Sequence, residues 1–163
     1  MRQEFEIRPA RVDDAPRISA LILKLAPFFA SVPGASVAPW FAETITPTAI
    51  AGYISDSRFN YLVALVNGVL AGVVAVREAT YVHHLFVALE YQRRGVAARL
   101  WWRAELDALA AGNRDGFYVR SSEYAIPVYE SFGFRVVGER TEKAGIVFVP
   151  MRLETHRVHT AKD

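Results

Sequence analysis

Residues 81 to 98 hold the densest run of side chains able to do chemistry: His83 and His84, then Gln92-Arg93-Arg94-Gly95-Val96-Ala97-Ala98. Tyr81 to Val87 reads as a strand, residues 92 to 95 as a tight loop, and the loop opens directly onto a helical period. The first turn of a helix presents unpaired N–H groups and the positive end of its dipole, which suits a phosphate or pyrophosphate. Gly95 lets the backbone turn and approach an anion without a Cβ in the way. Ala97 and Ala98 keep the first turn open. Arg93 and Arg94 add positive charge, and a solvated role for either side chain is as good a reading. The loop lacks the Gly-Lys-Ser/Thr of a P-loop and the several glycines of a dinucleotide fingerprint. Alone, it names no ligand. His83 and His84 are neighbours on a strand and belong on opposite faces unless a β-bulge intervenes. A neutral imidazole is a good general base near pH 7. His83 is the favoured candidate, with ordinary polar strand residues as the alternative for both.

Other chemistries are excluded by composition. The 163 residues include no cysteine, which removes disulfides, thiolate zinc sites, Fe–S clusters and a thiol nucleophile. His156 and His159 are too far apart in a polar tail to argue for a metal, so none is expected. Apolar residues make up 52% and charged residues 22%, the balance of a globular domain rather than a disordered or coiled-coil chain. The 19 basic and 17 acidic residues leave a net charge of +2, too little to indicate nucleic acid. The arginines show no evident stripe with interleaved aromatics. The longest apolar stretch, Ile18 to Val32, carries Lys24 and Pro27 and is too short and broken to cross a bilayer. Met1 to Arg8 is charged and alternating, unlike a signal peptide. The expectation is a soluble, cytoplasmic protein with one domain over residues 1–153 and a polar tail over 154–163 that frays.

The positioning elements follow from periodicity. Phe5 to Arg8 alternates as a short strand. Asp13 or Asp14 is placed to cap a helix carrying Ile18, Leu21, Ile22 and Leu25, which Pro27 ends. Phe28 to Phe41 is irregular and aromatic. Thr46 caps a second helix over Pro47 to Ser55. Tyr61 to Val66 and Val69 to Val76, joined by Asn67-Gly68, form a hairpin. After the Tyr81 to Val87 strand, a long helix starts at Val96 and stops at Gly112. Phe117 to Arg120 is a strand. Pro127 places the start of a short helix near Tyr124, and Gly133 ends it. Arg135 to Val137 and Ile146 to Leu153 are two further strands joined by a turn near Lys143 to Gly145. The order predicts a mixed α/β (α+β) domain with a central antiparallel meander.

The loop Gln92-Arg93-Arg94-Gly95-Val96-Ala97 resembles the pyrophosphate loop of the GNAT superfamily of N-acetyltransferases, Gln/Arg-x-x-Gly-x-Gly/Ala, with Gln92, Gly95 and Ala97 at its fixed positions. The strand with Leu85 and Val87 is similar to that family's central strand. The block Ser121-Ser122-Glu123-Tyr124-Ala125-Ile126-Pro127-Val128-Tyr129-Glu130, then Gly133-Phe134, resembles its later half. The likeness covers about residues 4 to 153. It implies a single-domain GNAT-like fold with a mixed, mostly antiparallel sheet flanked by helices. It implies acetyl-CoA as donor, its pyrophosphate on the N–H groups from Arg93 to Ala98. Leu85, Phe86 and Val87 would lie along the pantetheine, as would Ser122 and Ala125, in an opening between the Tyr81 to Val87 and Phe117 to Ser121 strands. Ser122 stands where many members have Asn. The central strand lacks the Glu that some members use as base.

Tyr129 occupies the position where the family places a proton donor for the departing thiolate, and a phenol with pKa near 10 suits that task; a core tyrosine is the alternative. Phe28, Phe29, Trp40 and Phe41 come from the segment where the family builds its acceptor wall. Glu123 and Glu130 are candidates for selecting a cationic acceptor, with a surface role as the alternative. The implied activity is acetyl transfer to a small-molecule or peptide amine by direct attack in a ternary complex. The competing reading is a non-catalytic acyl-CoA-binding sensor or interaction module. A homodimer is possible by analogy with the family; no nucleic-acid or membrane partner is expected.

Overall fold

A computed structural model describes residues 3–32 and 36–154; most of the polar tail, with His156 and His159, lies outside them. The elements are β1 (Phe5–Pro9), α1 (Ala15–Leu25), α2 (Pro39–Thr44), α3 (Pro47–Ser55), β2 (Phe59–Val66), β3 (Val69–Arg77), β4 (Tyr81–Val87), α4 (Val96–Ala110), β5 (Phe117–Ser121), α5 (Ile126–Ser131), β6 (Arg135–Val136), β7 (Thr141–Lys143) and β8 (Ile146–Leu153). The sheet runs β1-β2-β3-β4-β5-β8-β6, with β7 also paired to β8. Every pairing is antiparallel except β4 with β5. The β2–β3 hairpin turns at Asn67 and Gly68, both left-handed at φ 51° and 79°, as a two-residue turn matched to strand twist requires.

Each face of the sheet has its own core. Leu62, Val74 and Val82 meet Leu100 and Trp101 of α4, with Phe117, Tyr129 and Met151. On the other face Tyr61, Val63, Val73 and Ala75 meet Ile18 and Ile22 of α1 and Ile50 of α3. Trp101 is fully buried, its ring 4.8 Å from that of Phe117. Among the described residues, no helix is long and apolar enough to cross a membrane.

Several elements differ from the sequence expectation. The 28–41 segment ends in a short helix, α2, whose few residues are too short a window to show a period. The Lys143–Gly145 turn joins β8 to an additional strand, β7, rather than to β6. All three β7 residues are exposed, so no alternation marks it. Thr46 caps α3 as expected, accepting from the Ala49 N–H at 3.1 Å.

Asp14 sits at the N-terminal flank of α1, but its carboxylate makes no cap hydrogen bond to an N–H of α1. It accepts instead from both terminal nitrogens of Arg8 at 2.8 and 3.1 Å, from Arg17 at 2.7 Å and from the Arg11 N–H at 2.7 Å. The two-pronged guanidinium of β1 matches a carboxylate better than one helix N–H does. This buried cluster ties α1 to β1. Hydrogen bonds from Arg8 hold the Asp14 carboxyl well below the usual range, against the opposing effect of burial. A depressed carboxyl pKa contributes stability above the unfolded value near 4, and that contribution is lost as pH falls. Asp14→Ala is expected to cost about 3–5 kcal/mol at pH 7, as when one partner of a buried pair is removed. In urea melts, the gap to wild type should narrow progressively below pH 4.

Candidate active site

β4 and β5 pair over only two rungs, Tyr81 with Tyr118 and Val82 with Val119. Beyond them β4 stays paired to β3 and β5 to β8, but not to each other. The cause lies in β4 itself. Val76 of β3 faces Val82, while Ala75 faces His84, so His83 is an extra, bulged residue. A bulge bends its strand and sharpens the local twist, and this one begins where the β4–β5 ladder ends.

A cavity of about 480 Å³ is lined by Leu85, Phe86 and Val87 of β4, the 91–98 loop and start of α4, the Ser122 to Phe132 region, and Leu25, Phe28 and Phe29. That volume lies within the ordinary range for small-molecule sites. Arg93 and Gly95 are both left-handed, at φ 63° and 80°, and such loop geometry turns successive N–H groups inward as an anion-binding concavity. α4 has no side-chain N-cap. Its first backbone bond runs from the Arg99 N–H to the Gly95 carbonyl, so the N–H groups of Val96, Ala97 and Ala98 have no helical acceptor. All three residues line the cavity. A Cβ at Gly95 would meet nothing within 4 Å; the glycine serves the backbone angle and leaves the space above it open.

Gln92 ties two walls together. Its Nε2 donates to the Val87 carbonyl at 2.9 Å, and its Oε1 accepts from the Tyr124 hydroxyl at 2.7 Å. The Tyr124 ring packs 4.8 Å from Phe28. Sequence reasoning missed Tyr124 because its partner lies 32 residues away. Ser122 accepts the Ala125 N–H at 3.1 Å, organising the turn into α5. Tyr129 is only 5% exposed, yet it lines the cavity. Its ring is edge-on to Phe134 at 5.4 Å. Its hydroxyl makes no hydrogen bond among the described residues. Burial, with a smaller contribution from Tyr81, raises its pKa, so it carries its proton at neutral pH.

The structure thus gathers Leu85, Phe86, Val87, Gln92, Arg93, Gly95, Val96, Ala97, Ala98, Ser122, Ala125 and Tyr129 around one space. It leaves out Arg94 and His83. The Arg94 guanidinium lies over the Tyr91 ring at 5.8 Å, because the left-handed turn at Arg93 sends successive side chains apart. His83 is not in the cavity wall. The bulge swings it beside His84, with ring centroids 4.3 Å apart, where a regular strand would place the two on opposite faces. Tyr53, Phe59 and Tyr81 surround it. Phe28 and Phe29 line the cavity, but Trp40 and Phe41 do not. Trp40 instead donates to the Ala144 carbonyl at 3.0 Å. Glu123 pairs with Arg140 at 3.1 Å, away from the cavity, and Glu130 is exposed outside it. A second cavity of about 400 Å³, beside the C-terminal half of α4, holds none of these residues.

Residues 30–155 match the family model described as an acetyltransferase (GNAT) domain. The chain belongs to that family. Its fold is similar to a GCN5-related N-acetyltransferase from Rhodopseudomonas palustris at 20% identity, covering 92% of this chain and 95% of the other, with a TM-score of 0.77. It is also similar to the PaiA N-acetyltransferase from Thermoplasma acidophilum, solved in complex with coenzyme A, at 17% identity, 93% and 99% coverage and TM-score 0.74. A third likeness is to YncA from Salmonella typhimurium, a putative acetyltransferase solved with acetyl-CoA, at 20% identity, 92% and 93% coverage and TM-score 0.70. No curated protein sequence matches the chain.

The two histidines are electrostatically silent at neutral pH. Burial, then the charge of Arg77, pushes His83 down to about 4. Burial, then His83, pushes buried His84 well below its usual value. The His84 Nδ1 is 2.9 Å from the Tyr61 hydroxyl, and the buried Nε2 of His83 has no hydrogen-bond partner among the described residues. A histidine buried neutral contributes stability that falls as pH drops below the unfolded value near 6.5, because the unfolded chain then binds the extra protons. Neither ring should titrate between pH 5 and 8 by NMR. Replacing His84 with Phe should reduce the slope of stability against pH between pH 6 and 4.5 by up to about 1.4 kcal/mol per pH unit.

Proposed function

We propose that this protein is an acetyl-CoA-dependent N-acetyltransferase that moves the acetyl group directly to an amine in a ternary complex. The observation that carries the reading is one cavity shared by three features: the uncapped start of α4, the stretch of β4 unpaired with β5, and Tyr129. These residues fit an acyl-CoA. The N–H groups of Val96 to Ala98 and the loop at Arg93 to Gly95 would hold the pyrophosphate. The backbone of Leu85 to Val87 would run beside the pantetheine and polarise the thioester carbonyl, with the Val87 carbonyl already taken by Gln92.

Chemistry at the site has two proton problems. The acceptor nitrogen must be neutral to attack the thioester carbon, and a lysine-type amine has pKa about 10.4. As the C–N bond forms and the C–S bond breaks, the departing thiolate must gain a proton. Tyr129 supplies that proton from its phenol and regains one from solvent. The raised pKa keeps it loaded for this task. Among the described residues, no histidine, aspartate or glutamate lines the cavity. Removal of the amine proton is therefore assigned to water rather than to His83.

The missing base is the one observation favouring the second reading, an acyl-CoA-binding module without catalysis. Tyr129→Phe separates the two. Under the enzyme reading kcat falls by about 100-fold or more, while acetyl-CoA still raises the melting temperature as it does in wild type. Unchanged turnover removes Tyr129 from the mechanism, and no thiol release with any amine, alongside intact acetyl-CoA stabilisation, favours the module. A pH series gives a further check. The acid limb of kcat/KM should track the pKa of the amine used, moving when a less basic amine is substituted. No alkaline fall from Tyr129 should appear below pH 10.

A further inference from the structure

The sheet face away from α4 carries a cross-strand row that the reaction scheme above does not use. Arg77 faces Tyr81, Tyr81 faces Tyr118, and Tyr118 faces Arg152; directly opposed residues share a face. β5 buries Phe117, Val119 and Ser121 on its other side and leaves Tyr118 and Arg120 exposed on this one, Tyr118 at 42%. The Tyr81 and Tyr118 rings lie 4.8 Å apart. The Arg77 guanidinium stands over the Tyr81 ring at 5.0 Å. Arg120 follows Tyr118 by two residues on the same face, and its charge, with that of Arg77, opposes the burial that raises the Tyr81 pKa.

Arg152 donates to the Asp115 carbonyl at 2.9 Å. Arg77 and Arg120 make neither a hydrogen bond nor an ion pair among the described residues. Both guanidiniums act on the one tyrosine, and among the described residues no carboxylate forms an ion pair with either. Neutral His83 adds no charge. Paired arginine forks with free donors beside an aromatic floor suit a carboxylate attached to an apolar body. The position matters as much as the chemistry. Tyr81 and Tyr118 stand one rung from the end of the β4–β5 ladder, and Arg120 is the next residue of this face, where the strands have parted.

Resting on the acetyl-transfer reading, we propose that this face receives the acceptor, and that the acceptor is an amine that also bears a carboxylate. The carboxylate is held between Arg77 and Arg120, the apolar body lies on Tyr81 and Tyr118, and the amine reaches into the gap between β4 and β5. The same positive charge disfavours polycationic amines.

The test separates anion binding from turnover. Calorimetric titration of the CoA-loaded protein uses 3-phenylpropanoate, its neutral alcohol 3-phenylpropanol, and 3-phenylpropylphosphonate. The carboxylate should bind at least about tenfold tighter than the alcohol, as expected for charge-assisted hydrogen bonds. Arg77→Gln and Arg120→Gln should each weaken it by about tenfold or more, while CoA still raises the melting temperature of both variants as in wild type. Equal binding of acid and alcohol, or binding untouched by either substitution, overturns the proposal. A phosphonate preferred over the carboxylate overturns the choice of anion. In thiol-release assays, phenylalanine should show a KM at least tenfold below that of phenethylamine, and the double variant should erase the difference. Arg-dependent carboxylate binding with no turnover of any amine leaves the anion site standing and sinks acetyl transfer. Turnover indifferent to both the carboxylate and the arginines does the reverse.

Discussion

A parallel ladder that stops after Val82 and Val119 leaves two strand edges facing each other across open space. Unpaired backbone groups inside a domain are costly unless something else satisfies them. The arrangement is set by one surplus residue. His83 has no counterpart on β3, and the bend it forces carries β4 away from β5 at the point where pairing ceases. Around that gap the fold places the start of α4, the wall of α5 and the end of α1. The Asp14 cluster holds α1 against β1, and Gln92 links the end of β4 to the turn before α5. Remove the bulge and regular pairing would close the space these elements surround.

Charge is distributed by side around the gap. On the α4 side the positive character comes from backbone N–H groups and a helix dipole, which neither titrate nor move. On the opposite face it comes from arginines. Between them lie groups held neutral by burial: Tyr129, His83 and His84. A site of this kind has little ionisation of its own near pH 7. In the proposed reaction its pH response belongs to the substrate, and the proton donor is a phenol kept protonated by its surroundings.

Identities of 17–20% with solved acetyltransferases accompany TM-scores of 0.70–0.77. The sheet tolerates such divergence because its cores ask only for apolar residues of suitable volume. The loop at Arg93–Gly95 asks for left-handed backbone and an open first turn, which few residue types supply.

Local signals in the chain were enough for most of the elements and for the hairpin at Asn67-Gly68, because each rests on residues within one turn or one strand, whereas the candidate roles of the 92–98 loop and of Tyr129 came from the likeness of two separated motifs to a family. The continuous apolar runs of β2 and β3 and the helical period of α1 and α4 read correctly for the same reason. α2 and β7 were illegible, being too short or too exposed to show a period. Only the tertiary structure decided that His83 is the bulged residue and leaves the cavity wall, that Arg94 turns to Tyr91, and that Gln92 reaches Tyr124. The chain also shows no stripe of arginine and aromatic residues when read in order, yet register assembles one from β3, β4, β5 and β8. Strand pairing joins residues far apart in sequence, and a single inserted residue reverses the face of everything after it. No local pattern encodes either.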